Sequence, residues 1–310
     1  MIKRVLNLTL VMACLVSCAN RDKHGNLVDT PTSGSITIAV DESLKPLIDA
    51  EISAFEGIYR NAHIKVIYTS EGEAIDTLLQ DSARLAIVTR RLAESEEKVL
   101  RDQAMNPRQL KVAIDGVALI VNRQNPDTLI QLETLKKILL GEIQTLNESG
   151  KKKSTLPLEV VFDQPNSGII RYLKDSIVAF DKLPKYCFAV ESNAAVVDYV
   201  SKKPQALGLI DVSWISDRED STANSFLNSI RVVGISRDSS FYQPYQAYMA
   251  QGGYPLLRDV VMISREARTG LGSGFIAFVA GEKGQRVVLK SGLVPATMPI
   301  RIVEVNHEPL

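Results

Sequence analysis

Lys111 to Asn122 reads KVAIDGVALIVN, a β-branched and apolar run broken only by Asp115-Gly116. It is about twice the usual strand length of five or six residues. Its length therefore suits one strand that leaves a first lobe and enters a second, with the glycine at the bend. The organisation of the rest of the chain follows from that reading.

Upstream, short apolar runs alternate with amphipathic ones, the pattern of an α/β chain. Ile36 to Val40 reads as a buried strand and ends at Asp41-Glu42-Ser43, whose side chains can cap a helix over Leu44 to Phe55. Ile64 to Tyr68 is a second strand, followed by Thr69-Ser70-Glu71-Gly72 and a helix through Leu79. Leu85 to Val88 is a third, followed by Thr89-Arg90-Arg91 and a helix from about Glu94 to Arg101. Parallel α/β sheets place such strand-to-helix turns along one edge, where free helix N-terminal amides favour anions. The alternative at each turn is that Ser43, Ser70 and Thr89 are helix caps without a ligand.

Downstream, Leu132 to Leu139 reads as a helix stopped at Gly141, and the lysine-rich segment Lys151 to Ser154 as a solvated loop. Leu158 to Phe162 is a strand; Asn166-Ser167-Gly168 is another small polar turn, opening a helix from Ile169 through Ile177. A fourth anion-competent helix start thus falls in the second lobe. Ala194 to Val200 is helical, while Ala206 to Ile210 and Ile230 to Ile235 are strands. Tyr254 to Ile263 can return the chain to the first lobe, and Phe275 to Ala280 and Gly284 to Ser291 are helical. The lobes are then joined by two crossings, a connection that permits hinge closure. The implied division is residues 36–117 and 253–310 for lobe 1 and 118–252 for lobe 2.

The N-terminus reads as an export signal. Lys3 and Arg4 precede an apolar run over Val5 to Val16, and Leu15-Val16-Ser17-Cys18 has the form of a lipoprotein cleavage site. Residues 1–17 are expected to leave and Cys18 to carry a lipid, with 18–34 a polar tether. An uncleaved membrane anchor is the alternative, but the run is shorter than the roughly 20 residues needed to span. Loss of Lys3 and Arg4 leaves 34 basic against 36 acidic side chains, a net charge near −2. That balance lacks the field expected of a nucleic-acid binder. Cys14 and Cys18 apart, only Cys187 remains, so neither a disulfide framework nor a cysteine metal cluster is expected.

Catalysis finds little support. A Ser-His-Asp centre needs a histidine base, and the three histidines are His24 in the tether, His63 before a strand and His307 in the tail. No histidine pair has metal-ligand spacing, and Gly270-Leu271-Gly272-Ser273-Gly274 lacks the lysine-serine ending of a nucleotide loop, leaving a flexible loop or a helix start. A binding module that needs no cofactor fits the inventory better.

The order of these motifs resembles the substrate-binding component of phosphate ABC transporters. VAIDGVALIVN followed by LETLKKILLGEI is similar to that family's central segment. Asn193 to Ile210 is similar to its helix followed by a Pro-Gly-Ala-Ile-Gly-Tyr strand, and Pro255, Gly284-Gln285 and Gly292-Leu293-Val294-Pro295 match its C-terminal landmarks. The resemblance implies an α/β, two-lobed type II periplasmic-binding-protein fold, phosphate or a similar oxyanion as ligand, and ABC permease subunits as partners of a monomer. It places the first hydroxyl contact near Ser43, the second on Ser70, and a serine-glycine pair on Ser167 and Gly168. The family's aspartate after the third strand is Arg90 here, beside Thr89, and its lobe-2 arginine is Asp163. Arg90 offers a planar fork suited to phosphate oxygens, and Asp163 could orient it or accept a ligand proton; alternatively both are surface residues. A sensor or scaffold lipoprotein without transport is the rival reading that these departures keep open.

Overall fold

The computed structural model describes residues 29–145, 157–217 and 219–299. The signal segment, the lipidation candidate Cys18, His24, the Lys151 to Ser154 loop and His307 lie outside them.

In chain order the elements are β1 (Ser33–Asp41), α1 (Lys45–Ile58), β2 (Asn61–Thr69), α2 (Glu71–Leu79), β3 (Leu85–Val88), α3 (Glu94–Asp102) and β4 (Arg108–Asn122). The middle of the chain supplies β5 (Leu129–Gln131), α4 (Leu132–Leu140), β6 (Glu159–Phe162), α5 (Gly168–Tyr172), β7 (Cys187–Ala189), α6 (Asn193–Lys202) and β8 (Ala206–Asp211). There follow α7 (Ser213–Ser216), α8 (Ser221–Ser229), β9 (Ile230–Val232), β10 (Gly234–Ser236), α9 (Gln246–Ala250), β11 (Leu257–Ser264), α10 (Leu271–Ala280), α11 (Glu282–Lys290) and β12 (Val294–Pro295).

Strand β4 is the shared element. Its first half, Arg108 to Gly116, pairs antiparallel with β11; its second half, Val117 to Val121, pairs antiparallel with β8. The order along the sheet is β2-β1-β3-β11-β4-β8-β6-β7, with parallel pairs β1-β2, β1-β3, β6-β8 and β6-β7 in the two halves. Gly116 stands at the switch because of close approach: a Cβ there would lie 2.8 Å from Met249 Sδ and 3.1 Å from Val212 Cγ2. The chain returns beside it, where the Tyr254 hydroxyl donates to the Val117 carbonyl at 2.6 Å and Val117 N–H to the Leu256 carbonyl at 3.0 Å.

Each half has its own core. In the first, Ile38, Leu47, Ile87 and Met262 pack around Phe55, whose ring meets Tyr59, Phe275 and Phe278 edge-on at 4.9 to 5.3 Å. In the second, Leu119, Val160, Val196, Leu209 and Tyr254 close over β4, β6 and β8. A third cluster, with Ala39, Ile75, Leu78, Val88 and Ile263, covers the other face of the first sheet half, so the two lobes of the expected α/β fold are separately packed and stitched by continuous strands.

Two expectations change locally, and at the glycine run one of the two alternatives is realised. Ile230 to Ile235 is two short strands: β9 pairs with β4, whereas β10 pairs with β5, and Val233 between them donates to the Leu119 carbonyl. The glycine run 270–274 opens α10 as its first turn; the Glu266 carboxylate accepts from Gly272 and Ser273 N–H and Asp29 from Leu271 N–H, so carboxylates satisfy that helix start. Asp29 also pairs with Arg84, and Pro31 lies directly against Gly274. Residues 29–34, expected as the end of the tether, are consequently docked on lobe 1. Among the described residues no helix is long and apolar enough to cross a membrane.

Candidate functional site

All four strand-to-helix turns face the junction of the lobes, each for a local reason. Asp41 ends β1 and accepts Ser43 N–H at 3.0 Å, tightening a 3-10 turn over Glu42–Leu44. Ser70 caps α2 by accepting Glu73 N–H, and Ser167 caps α5 by accepting Ile169 N–H at 3.0 Å. Thr89 follows β3, buried at the mouth of its turn. The expected residues are thus brought together, but two of the hydroxyls already serve their own helices.

The centre of the cleft is an arginine–carboxylate clasp. Glu71, the first residue of α2, is buried, and one of its carboxylate oxygens accepts Thr89 N–H at 2.9 Å and the Thr89 hydroxyl at 2.5 Å. Arg171, one helical turn beyond Ser167, reaches across from lobe 2: its Nε donates to the other Glu71 oxygen, and its Nη2 donates to Thr89 Oγ1 at 3.0 Å. Gly168 completes the wall. A Cβ there would collide with Asp41 Oδ2 and stand 2.9 Å from Thr89 Oγ1 and 3.0 Å from Glu71 Oε2. Burial alone would push the Glu71 carboxyl up, but the Arg171 charge and the hydrogen bonds from Arg171 and Thr89 hold it below the ordinary carboxylate range.

Arg90 lies on the rim. Its fork is taken by Glu96 of the same lobe, at 2.6 and 2.7 Å, while its Nε is 3.6 Å from Glu71. Asp163 does not orient it. Asp163 is instead buried beside Asp41 and Asn193, whose Nδ2 donates to Asp163 Oδ2 at 3.3 Å and to Glu42 Oε2 at 2.8 Å. Burial, with the Asp41 charge adding to it, pushes Asp163 up to about 8. Asp41 is pushed up to about 7 by burial, against the pull of Arg258. One oxygen of each, Asp41 Oδ2 and Asp163 Oδ1, has no hydrogen-bond partner among the described residues.

Beneath this lies a second cluster. Arg258 of β11 donates from Nε to Asp115 at 2.6 Å, and from Nη2 to Asp211 at 2.7 Å and to the Ser43 hydroxyl at 2.9 Å. Ser43 is therefore a ligand of an arginine, and its carbonyl accepts Trp214 Nε1–H from lobe 2.

Glu71, Arg171 and Arg258 are the functional candidates the sequence reading passed over. Arg171 carried a signal, because residues four apart on a helix share a face with the cap. Glu71 sat inside a turn already singled out for its serine. Arg258 carried only its oddity as the one charged residue among the buried positions of its strand.

The family model described as PBP superfamily domain matches residues 28–283. Two relatives named phosphate-binding protein PstS are similar along most of their length. The Pseudomonas aeruginosa protein is 21% identical over 289 residues, 88% of this chain and 85% of that one. The Bacillus subtilis protein is 24% identical over 266 residues, 86% and 82% of the two. A candidate phosphate ABC transporter substrate-binding protein from Clostridium perfringens, crystallised with bound phosphate, superposes with a TM-score of 0.72 at 21% identity, covering 85% of this chain and all of its own. At that identity the superposition shows the two-lobed fold.

Proposed function

The chain belongs to the PBP superfamily domain family, and on that premise we propose that it is an extracytoplasmic solute-binding protein capturing phosphate, or a closely similar oxyanion, for an ABC importer. The observation that carries the reading is the cradle of Thr89 N–H, Thr89 hydroxyl and Arg171 guanidinium. These donors come from both lobes and converge on a pair of carboxylate oxygens. A site that seats one oxyanion edge in this way is chemically equipped for another. The phosphate named in the relatives fits that chemistry.

Asp41 and Asp163 set the choice among oxyanions. Buried carboxyls with free oxygens can accept a proton from hydrogen phosphate, or donate one while protonated; facing fully deprotonated sulfate, an ionised carboxylate only repels. Catalysis has no role in this reading, nor does nucleic acid. Cys18 would tether the monomer by its lipid, so that the cleft works beside permease subunits in the membrane.

The test is titration calorimetry of a soluble chain starting at residue 19, which keeps Asp29 and Pro31 in place. Phosphate should bind, and more tightly than sulfate, molybdate or an organic phosphate. Failure of every oxyanion to bind would remove the solute-capture reading. A Cys18→Ser chain should be recovered folded outside the membrane fraction; retention equal to the wild type would defeat the anchor.

A further inference from the structure

Glu71 is held by the donors that make the cleft suitable for an oxyanion. Five contacts surround its carboxylate: Thr89 N–H, Thr89 hydroxyl, Arg171 Nε, Arg171 Nη2 at 3.4 Å, and Arg90 Nε at 3.6 Å. Its position as first residue of α2 adds the helix's own preference for negative charge. No second anion fits beside it. Gly168 presses on Glu71 Oε2 and Thr89 Oγ1 so closely that a single added carbon would touch both, and the side chains of Thr89 and Glu71 are almost wholly removed from solvent.

From this we infer that Glu71 is an internal stand-in for the solute: it closes the unliganded cleft by occupying the oxyanion seat, and an incoming anion binds only by displacing it. The inference rests on the solute-capture reading for what displaces Glu71, but not for the clasp itself. The contact spans the lobes through the Arg171 side chain, which meets the Glu71 carboxylate and the Thr89 hydroxyl and carbonyl, since Glu71 and Thr89 belong to lobe 1 and Arg171 to lobe 2. Displacement therefore costs no backbone rearrangement beyond hinge opening. It does make Glu71 an affinity-setting residue. The competent state is the fraction of molecules with the carboxylate withdrawn, and the apparent dissociation constant is raised by the reciprocal of that fraction. The same arrangement rejects weak anions, because a newcomer must outbid a tethered carboxylate whose effective concentration is in the millimolar range or above, on the order expected for short tethers.

The experiment uses the full chain in detergent, with spin labels on Asp76→Cys in lobe 1 and Lys137→Cys in lobe 2, both exposed positions. Without ligand, wild type should show one short inter-label distance, while Glu71→Ala should show a longer or broader one. Formate, which supplies a free carboxylate, should restore the short distance in Glu71→Ala and leave wild type unchanged. Calorimetry with inorganic phosphate should find Glu71→Ala binding about tenfold or more tightly than wild type. Glu71→Gln, which keeps the side-chain shape and loses the charge, should fall between and guards against a folding defect. An unliganded Glu71→Ala as closed as wild type overturns the inference. So does phosphate affinity that is unchanged or weakened in a folded Glu71→Ala, because Glu71 would then act with the ligand instead of against it. If neither protein binds phosphate while Glu71→Ala opens and formate recloses it, the clasp stands and the phosphate reading falls.

Discussion

Two arginine–carboxylate clusters join the lobes, and they do so in opposite ways. Around Arg258, every partner is on or beside a crossing: Asp115 in the bend of β4, Asp211 at the end of β8, Ser43 after β1. The arginine side chain is 1% exposed and both aspartates are fully enclosed. Around Arg171, the partners Glu71 and Thr89 meet it only across the cleft, and the arginine side chain is 25% exposed. The first cluster cannot separate without unfolding the strands that carry it. The second can separate whenever the hinge opens. The same chemistry serves as a weld in one place and a latch in the other, and topology decides which.

The largest effect should come from breaking the weld. Arg258→Met leaves two buried aspartates facing each other and should lower the unfolding free energy by about 3–5 kcal/mol in urea titration. Adding Asp115→Asn and Asp211→Asn should recover most of that loss; a single Arg258→Met as stable as wild type would show that the cluster is not a structural weld.

Next in size is the pH dependence, which should divide between the buried cleft aspartates above Arg258 and the latch carboxylate Glu71. Asp41 and Asp163 are raised, so their contribution to stability is fully present below the ordinary carboxylate range and is lost as pH rises through about 7 and about 8. Unfolding free energy should therefore fall by about 2–4 kcal/mol between weakly acidic and weakly alkaline pH, with a shallower fall in Asp163→Asn. Glu71 has the opposite sign: its carboxyl is lowered, so its contribution is present above the ordinary range and is lost as pH falls through the lowered value. Glu71→Gln should flatten only that acid limb. Identical pH profiles for Asp163→Asn and Glu71→Gln would erase the distinction.

Opening the latch from the other side is a smaller test. Arg171→Ala should weaken phosphate binding by roughly ten- to a hundredfold, the worth of a charge-assisted hydrogen bond of about 1.5–3 kcal/mol, while shifting the melting temperature far less than Arg258→Met. Smallest of all, Arg90→Ala should cost less than about 1 kcal/mol of stability and change phosphate affinity much less than Arg171→Ala, because its fork is taken by Glu96 within lobe 1, where the pair braces the start of α3. An Arg90→Ala effect on binding equal to that of Arg171→Ala would move the seat to the rim.

Much of this was readable in one dimension. The run of Lys111 to Asn122 identified the crossing because length, β-branching and a lone Asp-Gly are local properties, and the described strand spans Arg108 to Asn122. Leu85–Val88 and the stop at Gly141, which adopts φ +84°, were equally local. The turns bearing Ser43, Ser70, Thr89 and Ser167 were legible for the same reason, since a strand followed by a capping residue and a helical period is a contiguous pattern. Short elements such as β5, β7 and β12 were not, because their three or two residues carry no period and gain their pairing from distant strands.

What each turn's side chains do was decided by tertiary structure alone. Sequence offered Ser70 and Arg90 as contacts; the fold gives Ser70 to Glu73 and Arg90 to Glu96, and it joins Arg171 to Glu71 across 100 residues and Arg258 to Asp211 and Ser43 across 47 and 215. A cap or a helix is settled by neighbours along the chain. A buried charge is settled by whichever opposite charge the folded strands deliver within about 3 Å, because only that pairing offsets the cost of leaving water.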